Sequence, residues 1–179
     1  MKPEEPQKVK LICGILYTDK QSLDKAIALL KKQFGPIDYQ SEEFPFDMTD
    51  YYVAEMGSPI IRLFFSFEHL VHPGNLAQIK QNTNLIEHRT AVRNRRRVNI
   101  DSGYMDYDKV VLASAKYNGQ KIYLDQGIWA DLTLYFTRGH FEHYPWSFPD
   151  FKLGIYDTVF LDIRKIYKQQ MKEVRHPIS

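Results

Sequence analysis

Six polar side chains recur in alternation within one stretch of the chain: Ser114, Lys116, Lys121, Tyr123, Asp131 and Thr133. Two cations, a carboxylate and three hydroxyls on one face of a sheet suit the capture of an anion. They also suit stabilisation of charge on a phosphoryl group. Upstream, Arg62 and Glu68 occupy even positions of an apolar strand and are placed to join them. The chemistry expected is binding of a phosphorylated small molecule or nucleotide, with phosphoryl-type chemistry as an extension. Lys116, Lys121 and Arg62 hold the anion, Tyr123 orients it, and Ser114 and Thr133 add hydroxyls. Glu68 and Asp131 act as acid–base groups or as magnesium ligands. The plainer alternative is a solvated sheet face whose lysines splay apart at a hairpin tip.

The elements that must position these residues follow from turn chemistry. Asn118-Gly119 between strand-like runs predicts a two-residue hairpin, because a type I′ turn needs positive φ at both central positions. That hairpin pairs Lys116 with Lys121, Ala115 with Ile122 and Ser114 with Tyr123. Val111, Ala113, Ala115, Ile122 and Leu124 then form the core face. A second turn falls near Asp125-Gln126-Gly127. A three-residue turn with a bulge sets Tyr123 against Asp131, Lys121 against Thr133 and Leu124 against Ala130. A one-residue slip would invert the faces, so the hydrophobic pattern selects this register. Lysines directly opposite each other repel, and their charge calls for an answer from Asp131, solvent or a ligand.

Around this meander, Val9–Tyr17 reads as a buried strand. Ser22 is expected to cap a helix with Leu23, Ala26, Ile27, Leu30 and Phe34 at helical spacing, stopped by Gly35-Pro36. Ile37–Phe44 is expected as the next strand, 45–58 as irregular, and Pro59–Glu68 as a strand with Ile61, Leu63, Phe65 and Phe67 on its apolar face. Asn75 and Gln78 resemble a capping box for a helix reaching about Arg93. The run HFEHYPWSFPDF (140–151) is an aromatic loop, and Tyr156, Val159, Phe160, Ile163, Ile166, Tyr167 and Met171 mark a closing amphipathic helix. The pattern predicts one α+β domain over 1–179 with a polar tail at 1–8. Its core is a single mixed, largely antiparallel sheet with about three helices packed on it.

Composition narrows the class. The formal charge of +2 does not by itself argue for a nucleic-acid partner. Cys13 is the sole cysteine, which removes internal disulfides and multi-thiolate zinc sites. The N-terminus has no signal-peptide core, and no apolar run approaches the ~20 residues of a membrane helix. A cytoplasmic, bacterial-type protein without membrane contact is expected. His69 and His72, like His140 and His143, are spaced as ligand pairs, but no HExxH motif supports a metal site. Phosphate-binding G-x-x-x-x-G-K-[ST] and G-x-G-x-x-G loops are missing, as is a G-x-S-x-G elbow.

The runs RRRVNIDSGYMDYDKVVLASAK, KIYLDQGIWADLTLYF and WSFPDF, with FPFDMTDYYVAEMG and LAQIKQNTNLIE, resemble the bacterial domain-of-unknown-function family 4416 across nearly the whole chain. The resemblance implies a self-contained domain and carries over no catalytic residue. The GTP-binding label sometimes attached to that family finds no Walker loop here. Two further readings compete with anion binding. One is a non-catalytic interaction module that uses the aromatic loop 144–151, with homodimer formation. The other is RNA binding through the basic run Arg89–Arg97, weakened by the lack of interleaved aromatics. The plainer account of that run is a helix C-terminus whose cations complement the macrodipole.

Overall fold

The computed structural model describes residues 2–175. Its centre is β1 (Val9–Tyr17), whose nine residues are all buried. A strand is apolar at every position only when both faces are covered. Leu11, Cys13, Ile15 and Tyr17 meet α1 (Lys20–Phe34) and α3 (Leu76–Arg89) through Leu23, Ala26, Leu30, Ile79 and Ile86. Ile12 faces the other way, toward a cluster holding Phe151 of α4 (Pro149–Lys152) and Val159, Phe160 and Ile163 of α5 (Asp157–Arg175). The burial needed for stability therefore lies in two layers, one on each side of a sheet.

The sheet has nine strands. Besides β1 these are β2 (Ile37–Gln40), β3 (Phe44–Pro45), β4 (Ile61–Val71), β5 (Val98–Met105), β6 (Lys109–Ser114), β7 (Ile122–Asp125), β8 (Ile128–Thr137) and β9 (His140–His143). Their order is β2-β4-β1-β5-β6-β8-β7, with β3 also on β4 and β9 also on β8. The fold is α+β, and each ladder among the described residues is antiparallel. The mixed component expected from sequence is thus replaced by antiparallel pairing throughout. No helix among the described residues is long and apolar enough to cross a membrane.

Several local expectations are corrected. The N-cap of α1 is Asp19, whose carboxylate accepts the Ser22 N–H at 2.8 Å; Ser22 lies inside the first turn. The Asn75–Gln78 capping box does not form. A 3-10 turn (Pro73–Asn75) precedes α3, and His72 Nδ1 accepts the Gly74 N–H instead. Ile37–Phe44 is broken at Ser41, whose hydroxyl accepts the Phe64 N–H at 2.9 Å and ends the β2 ladder. α3 stops at Arg89, so of the basic run Arg89 lies in the last helical turn, while Arg93–Arg97 follow beyond it. Arg93 and Asn94 have φ of 52° and 60°, and Val92 pairs with Arg95 across this tight turn.

The largest correction concerns the meander. β6 pairs with β8, and β7 lies on the far edge of β8. Asn118-Gly119 therefore turns within a crossing loop, with Lys121 N–H on the Asn118 carbonyl at 2.9 Å. The two-residue hairpin turn is Gln126-Gly127, with φ of 53° and 75°. It sets Asp125 against Ile128, and a bulge then sets Tyr123 against Trp129 and Ile122 against Ala130. Ile122 and Leu124 are exposed on an edge strand rather than core. Local turn propensity named a hairpin, but β8 offers β6 six partnered residues against three for β7.

Candidate functional site

A cleft forms where the sheet opens. β5 and β6 pair only over Gly103–Met105 and Val110–Leu112. Gly103 allows this close approach, since a Cβ there would lie 2.4 Å from the Val111 carbonyl oxygen. Past Gly103 and Leu112 the two strands diverge, and Asn99 and Asp101 of β5 and Leu112–Ser114 of β6 all line one cleft of about 500 Å³. That size is in the range of small-molecule sites.

The opening leaves β5 without a strand partner at Ile100 on the β6 side, opposite its β1 partner Ile15, and α3 supplies the bonds there instead. Glu87 Oε1 accepts the Ile100 N–H at 2.7 Å, and Lys80 Nζ donates to the Ile100 carbonyl at 2.6 Å. Arg96 completes this end. Its Nη1 donates to Glu87 Oε2 and to Asn99 Oδ1, both at 3.0 Å, and it forks onto Glu55 at 2.5 and 2.6 Å. Burial pushes the Glu87 carboxyl up, while Lys80, the Ile100 N–H and Arg96 pull it down. Arg96 holds the Glu55 carboxyl below its ordinary value.

The surroundings of Arg62 are different, although Asn99 and Asp101 link it to Arg96. Arg62, from β4, is only 4% exposed. Its Nη2 lies 3.7 Å from Asp101 Oδ2 and its Nε 3.2 Å from Asp150 Oδ2. Even so, Nε and Nη1 are buried without a hydrogen-bond partner. The guanidinium rests among aromatic rings, nearest Phe46 at 4.8 Å. Asp150 is also buried and accepts the Tyr156 hydroxyl at 3.1 Å. Across the cleft, Lys121 Nζ lies 3.4 Å from Asp131 Oδ2 and donates to Ser114 Oγ at 2.8 Å. Burial pushes the Asp131 carboxyl above its ordinary value against the pull of Lys121. Lys116 bonds to the Tyr51 hydroxyl and sits 4.3 Å from that ring's centroid.

The lysines expected to repel as a strand pair are thus held apart: Lys121 answers Asp131, and Lys116 answers Tyr51. The cleft collects Arg62, Ser114, Lys116, Lys121 and Asp131 of the residues singled out from sequence. It does not collect the other three. Glu68 is exposed on β4, beyond the stretch that reaches the cleft. Tyr123 packs edge-on against Trp129, 5.1 Å between centroids. Thr133 is buried in the β8 bulge, with its hydroxyl on the Asp131 carbonyl at 3.1 Å. A carboxylate pair of Glu68 with Asp131 is therefore not assembled in the cleft, and no group of three or more His, Cys, Asp or Glu among the described residues is arranged to hold a metal ion.

Sequence reasoning missed Glu87, Lys80, Arg96, Asp101 and Asp150 as cleft residues. Glu87 and Lys80 had a faint signal, as charges on the apolar stripe of a helix. Asp101 and Asp150 had none, since each is brought in by a non-local turn of chain.

The chain belongs to the family described as Domain of unknown function (DUF4416), whose model matches residues 7–167. No curated protein and no solved structure matches it.

Proposed function

We propose that this protein binds a phosphorylated small molecule or nucleotide in the cleft, through Arg62, Lys121 and Lys116. The observation that carries the reading is Arg62: a buried guanidinium among the cleft-lining residues, two of whose nitrogens make no hydrogen bond. A buried donor left unmade costs about 1–3 kcal/mol, and more when charged. A phosphate oxygen matches the guanidinium fork and would recover that cost. Lys121 and Lys116 add charge, and Asp131, desolvated beside Lys121, is the cleft carboxylate placed for proton transfer. Magnesium would enter chiefly with the phosphate it accompanies.

A thermal-shift screen of nucleotides and phosphorylated metabolites, with and without magnesium, tests this. A ligand at 100 times its Kd adds about 2.7 kcal/mol, or roughly 5–10 °C for a chain of this size. Arg62→Lys keeps the charge and loses the fork, and it should abolish most of the shift. An unchanged shift in both Arg62→Lys and Lys121→Ala would move the site elsewhere.

A second reading rests on the aromatic loop. Trp146 is 41% exposed, with Phe148, Leu153 and Ile155 also exposed nearby in the chain. Trp146 stacks on Tyr144 and donates to the Leu132 carbonyl at 2.8 Å, so the ring is held rigid, as interface anchors are. An interaction module, including a homodimer, is supported if Trp146→Ala lowers the sedimentation coefficient of the protein; an unchanged monomer removes the homodimer. RNA binding draws less support, because Arg96 and Arg97 are engaged within the chain, the latter on the Met56 carbonyl at 2.8 Å.

A further inference from the structure

The cleft lining divides by exposure, and the division says something about the ligand. Five of its charged members, Arg62, Lys80, Glu87, Asp131 and Asp150, are buried, Arg96, Asp101 and Lys121 are partly so, and Lys116 is exposed. Two of its aromatic members are exposed as well: Tyr51 is 59% exposed and Phe148 46%. Neither belongs to a buried cluster of the core. Tyr51 touches the edge of Tyr52 and the ammonium of Lys116, and Phe148 meets the Phe151 ring at 6.4 Å. They come from distant parts of the chain, one before α2 (Val53–Met56) and one capping α4, yet both line the same cleft. Large rings left open to water on the wall of a polar cleft forgo burial that a ligand can restore.

We infer that the ligand joins a planar ring to its phosphate, and that Tyr51 and Phe148 hold the ring while Arg62 and Lys121 hold the phosphate. This rests on the anion-binding reading and narrows it. Lys116 links the two subsites. Its ammonium lies against the Tyr51 ring and lines the same cleft as Arg62 and Lys121, so a phosphate a short spacer away from a stacked ring comes within its reach. A ring-bearing phosphate monoester, such as a nucleoside monophosphate, has this shape. A simple sugar phosphate would leave the aromatic wall uncovered.

Calorimetry on the full chain separates these cases with three probes: adenosine 5′-monophosphate or guanosine 5′-monophosphate, ribose 5-phosphate, and adenosine. Stacking predicts that a nucleotide binds roughly 10- to 100-fold more tightly than ribose 5-phosphate. Tyr51→Ala and Phe148→Ala should each erode that ratio, and Phe148→Ala should do so while leaving ribose 5-phosphate affinity unchanged, whereas Tyr51→Ala also releases Lys116. Tyr51→Phe, which keeps the ring, should preserve it, and circular dichroism of each variant reports folding independently. Equal affinity for nucleotide and ribose 5-phosphate overturns the ring subsite and leaves the anion site standing. If neither phosphate binds, the anion reading falls and this inference falls with it.

Discussion

Two arginines line the same cleft and have opposite surroundings. Arg96 is saturated: it forks onto Glu55 and also reaches Glu87 and Asn99. Arg62 is more deeply buried and makes no hydrogen bond through Nε or Nη1. The carboxylates follow suit. Glu87 accepts hydrogen bonds from Ile100 and Arg96 and pairs with Lys80 at 3.8 Å, while Asp131 pairs with Lys121 at 3.4 Å. Charge that is fully partnered closes a gap in the sheet. Charge that is buried and under-partnered costs stability and is retained where something else completes it.

The comparison breaks most visibly at Glu87. Glu87→Ala leaves the Ile100 N–H without its acceptor and removes the buried carboxylate that faces Lys80 and Arg96, and should cost about 3–5 kcal/mol in urea denaturation. Asp131→Ala, which leaves one lysine that keeps its hydrogen bond to Ser114, should cost clearly less. If the two losses match, the two carboxylates are equally structural. Next in size is Gly103→Ala. Its new Cβ would press on the Val111 carbonyl and force β5 and β6 apart where they pair; a loss of roughly 1–3 kcal/mol is expected. A neutral result would show that the opening does not depend on this contact.

Acid titration sharpens the contrast. Asp131 is raised in the folded state, so the native protein holds that proton more tightly than the unfolded chain. Its contribution is greatest below the ordinary value of 3.8 and falls as pH rises through the raised value. Glu55 is lowered by Arg96, so its contribution is present above the ordinary value of 4.5 and is lost as pH falls through the lowered one. Glu87 shares the direction of Asp131. The difference between the wild type and Asp131→Asn therefore isolates Asp131, at no more than about 1.4 kcal/mol per pH unit for one proton. Identical pH slopes for the two proteins would remove the desolvated carboxylate from the account. The smallest effect is expected at Lys116. Lys116→Ala loses an exposed cation–π contact worth about 0.5–1 kcal/mol, and its Tm should fall by a few degrees at most. A larger fall would mean that the Tyr51 contact braces the cleft.

What was legible in the chain was whatever short-range pattern encodes. The all-buried β1, the α1 helix ended by Gly35, the alternating face of β4 and the amphipathic α5 all follow from period and punctuation. Lys121, Asp131 and Ser114 were grouped correctly although the hairpin invoked to group them does not exist. Ser114 and Asp131 share a face because β6 pairs β8 directly in a register that sets Leu112 against Asp131 and Ser114 against Trp129, and Lys121 reaches them from the crossing loop. Glu68, Tyr123 and Thr133 were added by strand parity and failed, because parity says nothing about position along a strand or about a bulge.

The sequence by itself determined which segments must be buried, and on which face, because burial is enforced at every second or every third to fourth residue. Only the tertiary structure decided that β8 inserts between β6 and β7, that β5 and β6 part at Gly103, and that Arg62 lies across the gap from Lys121. Those are choices among non-local pairings. Their energies depend on how many partners each strand finds at once, and no local window of residues records that competition.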